Sequence, residues 1–285
     1  MSGYLINDEN REALEAESLN FDVMQLGVYG GANPPSRGIR KIMGKGRGDQ
    51  GRVSSCTGFA AAHCAEVCHF NALGTWRQFN ENWSYYEGQT RSGSRGIKGD
   101  KGATIHGCVN GMKQAGMLPV DLDGDGKPDV PYLATYKQRM PKNAAQVASQ
   151  YRVGYSVVLK SWDQILRFLQ SGQGAVVVGA PWGNYRPDSS GCLTRFVGGG
   201  GGHATAIVDW DYSPDGRKTW LVQANSHGSR WGRNGYAFLS PNFVNGMLRD
   251  RWTVAIVVSD LRYPASRPTP TVNDLHDVIF DGFEV

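Results

Sequence analysis

The chain has 285 residues, 40% hydrophobic and 20% charged, which suffices for a substantial core in one large domain or two lobes. Lysine and arginine number 30 against 26 acidic residues, a net +4 with no basic block, so no nucleic-acid partner is expected. No apolar run reaches the length of a membrane span, and the polar opening MSGYLINDENREALEAESLN lacks the apolar core of a secretory signal.

Residues 1–48 are polar and punctuated by Gly and Pro. They read as an N-terminal arm with one short helix near Glu9–Ser18, and the basic, Gly-rich stretch Arg37–Arg47 reads as a solvated surface strand. From Ser54 the pattern changes. SSCTGFAAAHCAEVCHF predicts an alanine-rich helix with Ser54 or Ser55 as N-cap and Cys56 in the first turn. Further helices are expected over Thr75–Tyr86 and Thr104–Ala115. The aromatic set Trp76, Phe79, Trp83, Tyr85 and Tyr86 then serves as core packing.

The second half alternates differently. YSVVL, GAVVVGA, HATAIVDW, TWLVQA, GYAFLS and TVAIVVS are short strand-like runs separated by Gly, Asn, Asp and Ser. One helix interrupts them, Ser161–Gln170, where SWDQ has the form of a capping box; all other helical signal lies in the first half. Helices followed by antiparallel strands predict an α+β chain: an arm over 1–48, a helical lobe over about 49–150, a β lobe over about 151–260, and a Pro-rich tail over 261–285.

Five cysteines, 56, 64, 68, 108 and 192, leave at least one thiol unpaired in a monomer. Cys64 and Cys68, flanked by His63 and His69, read as small apolar side chains on a buried helix in preference to a metal cluster. A reactive thiol needs a lowered pKa, and a helix N-terminus supplies partial positive charge where the thiolate sits; Cys56 has that position. His203 opens an apolar strand after a glycine run, and Asn225 ends the strand TWLVQAN ahead of a Gly-rich turn. Each is a weak signal alone. The order Gln50, Cys56, His203, Asn225 is specific.

Those residues resemble the papain-like cysteine peptidases. DQGRVSSC has that family's six-residue step from the oxyanion Gln50 to the nucleophile Cys56. Gly202-His203-Ala204 is similar to its general-base segment, and Asn225-Ser-His-Gly-Ser-Arg-Trp-Gly-Arg-Asn-Gly-Tyr236 follows its Asn block without a gap. Glu66 falls where the family keeps a structural acid, and weaker similarity runs through FNENWSYYEG and KGATIHGCVNGMKQAG to Pro131-Tyr132. The resemblance covers about residues 45–240. It implies a two-lobed fold with the site in the cleft, a Cys56 thiolate paired with His203, Asn225 orienting the imidazole, and Gln50 with the Cys56 amide binding the oxyanion. Gly102, Gly202 and His227 are expected along the substrate cleft.

Three departures bear on activity. Val53 stands where the family has a disulfide cysteine, and Thr57 replaces the Trp after the nucleophile. His227 replaces the Trp that covers the Asn–His bond, so a wetter bond and a less firmly oriented base are expected. The family's inhibitory prosegment has no room before Gln50.

A second site is independent of the first. Asp121, Asp123, Asp125 and Asp129 stand at positions 1, 3, 5 and 9 of an EF-hand-like loop, with Gly126 at the turn and the Lys127 carbonyl at position 7. Tyr132 replaces the bidentate Glu of position 12. The loop resembles inserted DxDGDGxxD calcium loops and predicts a structural calcium ion that stiffens the edge of the cleft; no organic cofactor is expected.

The expected function is therefore a thiol peptidase acting on peptides or proteins. The same triad also fits deamidation, transamidation or cleavage of peptidoglycan cross-links. A different class is a papain-fold component of a multi-subunit particle, such as a phage virion, that holds both tails. Free thiols and no signal favour cytoplasmic synthesis; a calcium loop favours use outside the cell, and virion association or non-classical export reconciles the two.

Overall fold

The computed structural model describes residues 3–5, 38–44, 48–213, 216 and 218–262. The helices that precede the sheet are α1 (Ile39–Met43), α2 (Cys56–Leu73), α3 (Glu81–Thr90), α4 (Ile105–Gln114) and α5 (Ala144–Ala148). The strands are β1 (Arg152–Val158), β2 (Gly174–Trp182), β3 (Cys192–Leu193), β4 (Gly201–Tyr212), β5 (Thr219–Ala224), β6 (Tyr236–Leu239) and β7 (Val254–Arg262). Two helices lie between them, α6 (Trp162–Gln170) and α7 (Pro241–Leu248). Side chains cap four of the helices at their starts. Asn80, Thr104, Ser161 and Ser240 each accept the backbone N–H three residues on.

Helix α2 is the central post. It is buried from Cys56 to Asn71, so it carries small residues on all sides instead of one apolar stripe. Glycines let its neighbours approach: a Cβ on Gly58 would collide with the α3 backbone, and one on Gly88 with Cys108 of α4.

The strands form one sheet in the order β1-β7-β2-β4-β5-β6-β3, antiparallel except for the β3–β6 pair. Its middle is buried on both faces, which explains why GAVVVGA shows no polar alternation. Ala175 and Val177 of β2 face one core with Ile256, Val258 and the α2 side chains. Val176, Val178 and Ala180 face another, with Val257, Phe168 of α6 and Phe243 of α7. A third, small core of Trp83, Leu118, Val130, Ala144 and Ala148 lies beneath the acidic loop.

The α+β class and the expected strands are present. The helix expected over Thr75–Tyr86 instead runs Glu81–Thr90, because Phe79 bridges Pro119 and Asn80 then caps the helix through the Trp83 amide. Ile39–Met43, expected within a solvated strand, is a short helix with Ile39 and Met43 buried; the Ile39 amide donates to the Asp209 carboxylate at 2.8 Å. Helical signal is not confined to the first half plus α6: α7 also forms, behind Ser240 and Pro241. The helix expected near Glu9–Ser18 and most of the C-terminal tail lie outside the described residues.

Candidate active site

Cys56 is the first residue of α2, with no exposed surface. Ser55 occupies the N-cap without a side-chain cap bond, so the first amides of the helix stay available around the sulfur. Burial pushes the Cys56 thiol up to about 11, and backbone groups of Ala204, Gly3, Thr57 and Cys56 itself oppose that rise. Ala204 follows His203 on β4, so the strand that carries the candidate base also reaches the sulfur.

His203 Nε2 lies 2.8 Å from Asn225 Oδ1. The Ser226 amide donates to the same oxygen at 2.8 Å, which fixes the orientation of the Asn225 amide. With an oxygen facing it, Nε2 carries the proton, and Nδ1 is left with a lone pair. Both residues are buried, His203 at 5% and Asn225 at 2% exposure. His227 stacks on the imidazole with centroids 4.7 Å apart and ring planes 7° apart, and Trp182 packs at 5.6 Å. The wetter Asn–His bond expected from losing the Trp is thus not found: a stacked imidazole covers it instead. Burial, and then His227, lower the His203 pKa to about 3, against the Asn225 hydrogen bond. Burial pushes each of the two candidate groups toward its neutral form.

The segment carrying Gln50 is joined to the Asn225 turn by backbone. Asp49 bridges His227, the Gln50 amide donates to the Ser226 carbonyl, and the Gly228 amide donates to Gly48. The Gln50 side chain is fixed at both ends: Oε1 accepts the Ser226 hydroxyl at 2.5 Å and Nε2 donates to the Val53 carbonyl at 2.8 Å. One Nε2 hydrogen remains for a ligand. Ser226, which sequence reasoning did not single out, therefore ties Asn225 to Gln50; its place between Asn225 and His227 was the available signal.

Tyr132, the residue at position 12 of the acidic loop and the end of the weaker family similarity, also reaches the site. Its hydroxyl donates to the Gln50 carbonyl at 3.0 Å and lies 3.1 Å from the Ser55 hydroxyl, bridging the Gln50 segment and the residue before α2. Glu66, in the middle of α2, accepts the Phe79 amide at 3.3 Å. Thr57 is fully buried, and the five free cysteines are buried, among which Cys68 donates to the Val258 carbonyl.

The glycines expected along the cleft are covered by other parts of the chain. Gly102 and Gly202, expected to line it, both abut the chain's own residues Gly3 and Tyr4. Leu5 donates to the Ala103 carbonyl at 2.9 Å, Ala103 donates to the Gly3 carbonyl at 2.8 Å, and Tyr4 donates to the Gly202 carbonyl at 3.4 Å.

At the acidic loop, carboxylate oxygens of Asp121, Asp123 and Asp129 lie within 4.8 Å of one another. Asp125 is not part of that group: its carboxylate accepts the Lys127 amide and pairs with the Lys127 ammonium at 3.5 Å. Asp121 accepts the Gly124 and Gly126 amides, which holds its carboxyl below the usual range, and Asp129 accepts the Leu122 amide. Among the described residues, no helix is long and apolar enough to cross a membrane.

The papain family cysteine protease model matches residues 40–250. Comparison with curated protein sequences finds no match. Among solved structures, the chain is similar to xylellain, a cysteine protease from Xylella fastidiosa, with 18% identity, a TM-score of 0.64, and 92% of this chain and 96% of that one covered. It is also similar to the bromelain protease from Ananas comosus in complex with the E64 inhibitor (15% identity, TM-score 0.61, 79% and 99% covered). A third is procathepsin B from Trypanosoma congolense (14% identity, TM-score 0.62, 92% and 87% covered). The family match spans the helix that opens on Cys56, the strand of His203 and the turn of Asn225, and the chain belongs to the papain family of cysteine proteases.

Proposed function

We propose that the protein hydrolyses peptide bonds with Cys56 as nucleophile, His203 as general acid and base, Asn225 as orienter of the imidazole, and Gln50 with the Cys56 amide as oxyanion donors. The observation that carries this reading is the bond from His203 Nε2 to an Asn225 oxygen whose orientation the Ser226 amide fixes. It leaves Nδ1 as the only ring nitrogen able to take the thiol proton.

On that reading, His203 Nδ1 takes the Cys56 proton and the thiolate attacks the substrate carbonyl carbon. The oxyanion meets the remaining Nε2 hydrogen of Gln50 and the Cys56 amide. Collapse breaks the C–N bond as the imidazolium protonates the leaving amine. Water, deprotonated by His203, then attacks the thioester, releases the acid and returns the proton to the sulfur.

The acidic loop is proposed to bind calcium through Asp121, Asp123 and Asp129, with Asp125 and the Lys127 carbonyl joining once the Lys127 ammonium is displaced. Three converging carboxylates support it, since hard oxygen donors suit that ion. Its role is structural and supplies no catalytic step.

The test is labelling with an epoxysuccinyl thiol probe, followed by peptide mapping, in the wild type and in His203→Ala. Modification of Cys56 that depends on His203 is expected. Equal labelling in both proteins would overturn the assignment of the base, and labelling at another cysteine that of the nucleophile.

A further inference from the structure

The peptide group between Val53 and Ser54, just ahead of Cys56, is held from both sides. Its carbonyl accepts a hydrogen from Gln50 Nε2 at 2.8 Å, and its N–H donates to Asp100 Oδ1 at 2.8 Å. The peptide is trans, so these two groups point in opposite directions and Asp100 grips the segment from the side away from the Gln50 amide. The Ser54 hydroxyl adds a bond to the Asp100 carbonyl at 3.4 Å. Gln50 and Ser54 are both buried, so water does not readily replace either partner.

Asp100 is fixed in its turn. It lies in the loop that follows α3, and Tyr85 of α3 donates its hydroxyl to the same Oδ1 at 2.9 Å while accepting the Gly102 amide at 3.0 Å. Gln89, one helical turn on, donates to the Gly99 carbonyl at 2.8 Å and the Gly102 carbonyl at 3.0 Å. Both α3 side chains are buried, which makes the helix a firm base for the loop.

We infer that Asp100 is a positioning residue for the oxyanion donors: by holding the Val53–Ser54 peptide, it fixes the carbonyl that takes one hydrogen of the Gln50 amide, and so aims the other at the substrate oxygen. The inference rests on the proposed role of Gln50. Asp100 touches neither substrate nor sulfur; it acts through one peptide group. A peptide whose N–H donates to a carboxylate is also a better acceptor at its carbonyl, so the same bond tightens the hold on Gln50 Nε2. The Ser226 hydroxyl holds Oε1 of that amide, so Ser226 and Asp100 fix its two ends from opposite parts of the chain. The second donor proposed, the Cys56 amide, lies two residues beyond Ser54 on the same gripped segment. Small displacements there are costly, since a misplacement of about 1 Å in an active site can lower a rate about 10²-fold.

The experiment is a double-mutant cycle on the full chain, with kcat and KM read on fluorogenic peptides and urea unfolding as the check on folding. Asp100→Ala is expected to lower kcat about tenfold or more, with KM changed by less than about threefold. Asp100→Asn keeps the acceptor oxygen and should recover most of that loss. In a Gln50→Ala background, Asp100→Ala should cost no more than about a further factor of two, because the donor it aims is gone. Asp100→Ser carries the same expectations where the alanine variant does not fold. Losses that multiply in the double variant overturn the inference, since a merely structural role acts independently of Gln50. Full kcat in Asp100→Ala, with Gln50→Ala slow, overturns it and leaves the Gln50 reading standing. Full kcat in Gln50→Ala overturns that reading and this role together, and so does a wild type that hydrolyses no peptide.

Discussion

The cleft and the acidic loop both gather polar groups around glycines, yet they treat charge in opposite ways. Around the candidate site, Gly179 and Gly202 are there for room, each facing atoms that a side chain would displace, while Gly102 is there for room and for its left-handed φ of +86°. In the loop, Gly124 and Gly126 face nothing within 4 Å and are there for backbone, with φ of +83° and +85°. The candidate site then buries Cys56 and His203, which pushes each toward its neutral form. The loop leaves its carboxylates at the surface, where amide donors keep Asp121 ionised. Chemistry that must create charge in a dry site depends on each donor there. An exposed charged loop loses little from any one change.

The largest effect is therefore expected at Gln50. On the proposed mechanism, Gln50→Ala takes away an oxyanion donor and should lower kcat by about 10²–10³, while Asp123→Asn in the loop leaves kcat within about a factor of two. Steady-state kinetics on one peptide substrate decides it. Comparable losses in the two variants would erase the contrast between the regions.

The same contrast governs what the sequence made legible. The places expected for Cys56, His203 and Asn225 were legible because each sits where an element starts or ends, at the α2 N-terminus, early in β4 and just past β5. The α3 boundary was not, because the Phe79–Pro119 bridge that delays it joins residues forty apart. The α1 helix was missed because its apolar pair, Ile39 and Met43, packs only when Asp209 receives the Ile39 amide from a distant strand. Ser226, Tyr132 and Asp100 act through long-range hydrogen bonds, which leave no periodic trace in the chain. The loop needed no tertiary partner to be seen, yet its pattern overstated the gathering: Asp125 pairs with Lys127 instead of joining its neighbours.

A pH series sharpens the electrostatic half of the comparison. His203 has a folded pKa near 3 against 6.5 when free. The unfolded chain therefore binds this proton first as pH falls. Its stabilising contribution is complete above 6.5 and is lost progressively as pH drops toward 3, by on the order of 1 kcal/mol per pH unit. Urea unfolding of the wild type should show that slope, and His203→Asn should lose part of it. An unchanged slope would mean the imidazole is already hydrated in the folded protein.

Paired glycine substitutions separate room from backbone. Gly124→Ala meets no neighbour but must hold a left-handed φ, so it should cost about 1–2 kcal/mol and leave Cys56 reactivity unchanged. Gly202→Ala has an ordinary φ but places a methyl against the Tyr4 carbonyl, so it should alter the rate of Cys56 alkylation with a smaller change in unfolding free energy. Reversed outcomes would show that the cleft glycine is held for its backbone.

The smallest effect links the two regions. The loop runs through Val130 and Pro131 to Tyr132, whose hydroxyl holds the Gln50 carbonyl and contacts Ser55. Val130 is held from the other side by Asn80 at 2.8 Å, so the segment is already fixed before any ion binds. Calcium should then add stability, about 2–3 kcal/mol at a hundredfold excess over its Kd, but little rate. Adding a chelator should lower the melting temperature and reduce kcat by no more than about threefold, less than 1 kcal/mol of barrier. Tyr132→Phe should produce a kcat loss of the same small size whether calcium is present or not, because it cuts the hydroxyl that joins Tyr132 to Gln50 and Ser55. If the chelator still slows Tyr132→Phe by the same factor, calcium acts on the cleft by another route; if calcium shifts neither melting temperature nor rate, Asp121, Asp123 and Asp129 form an acidic turn and nothing more.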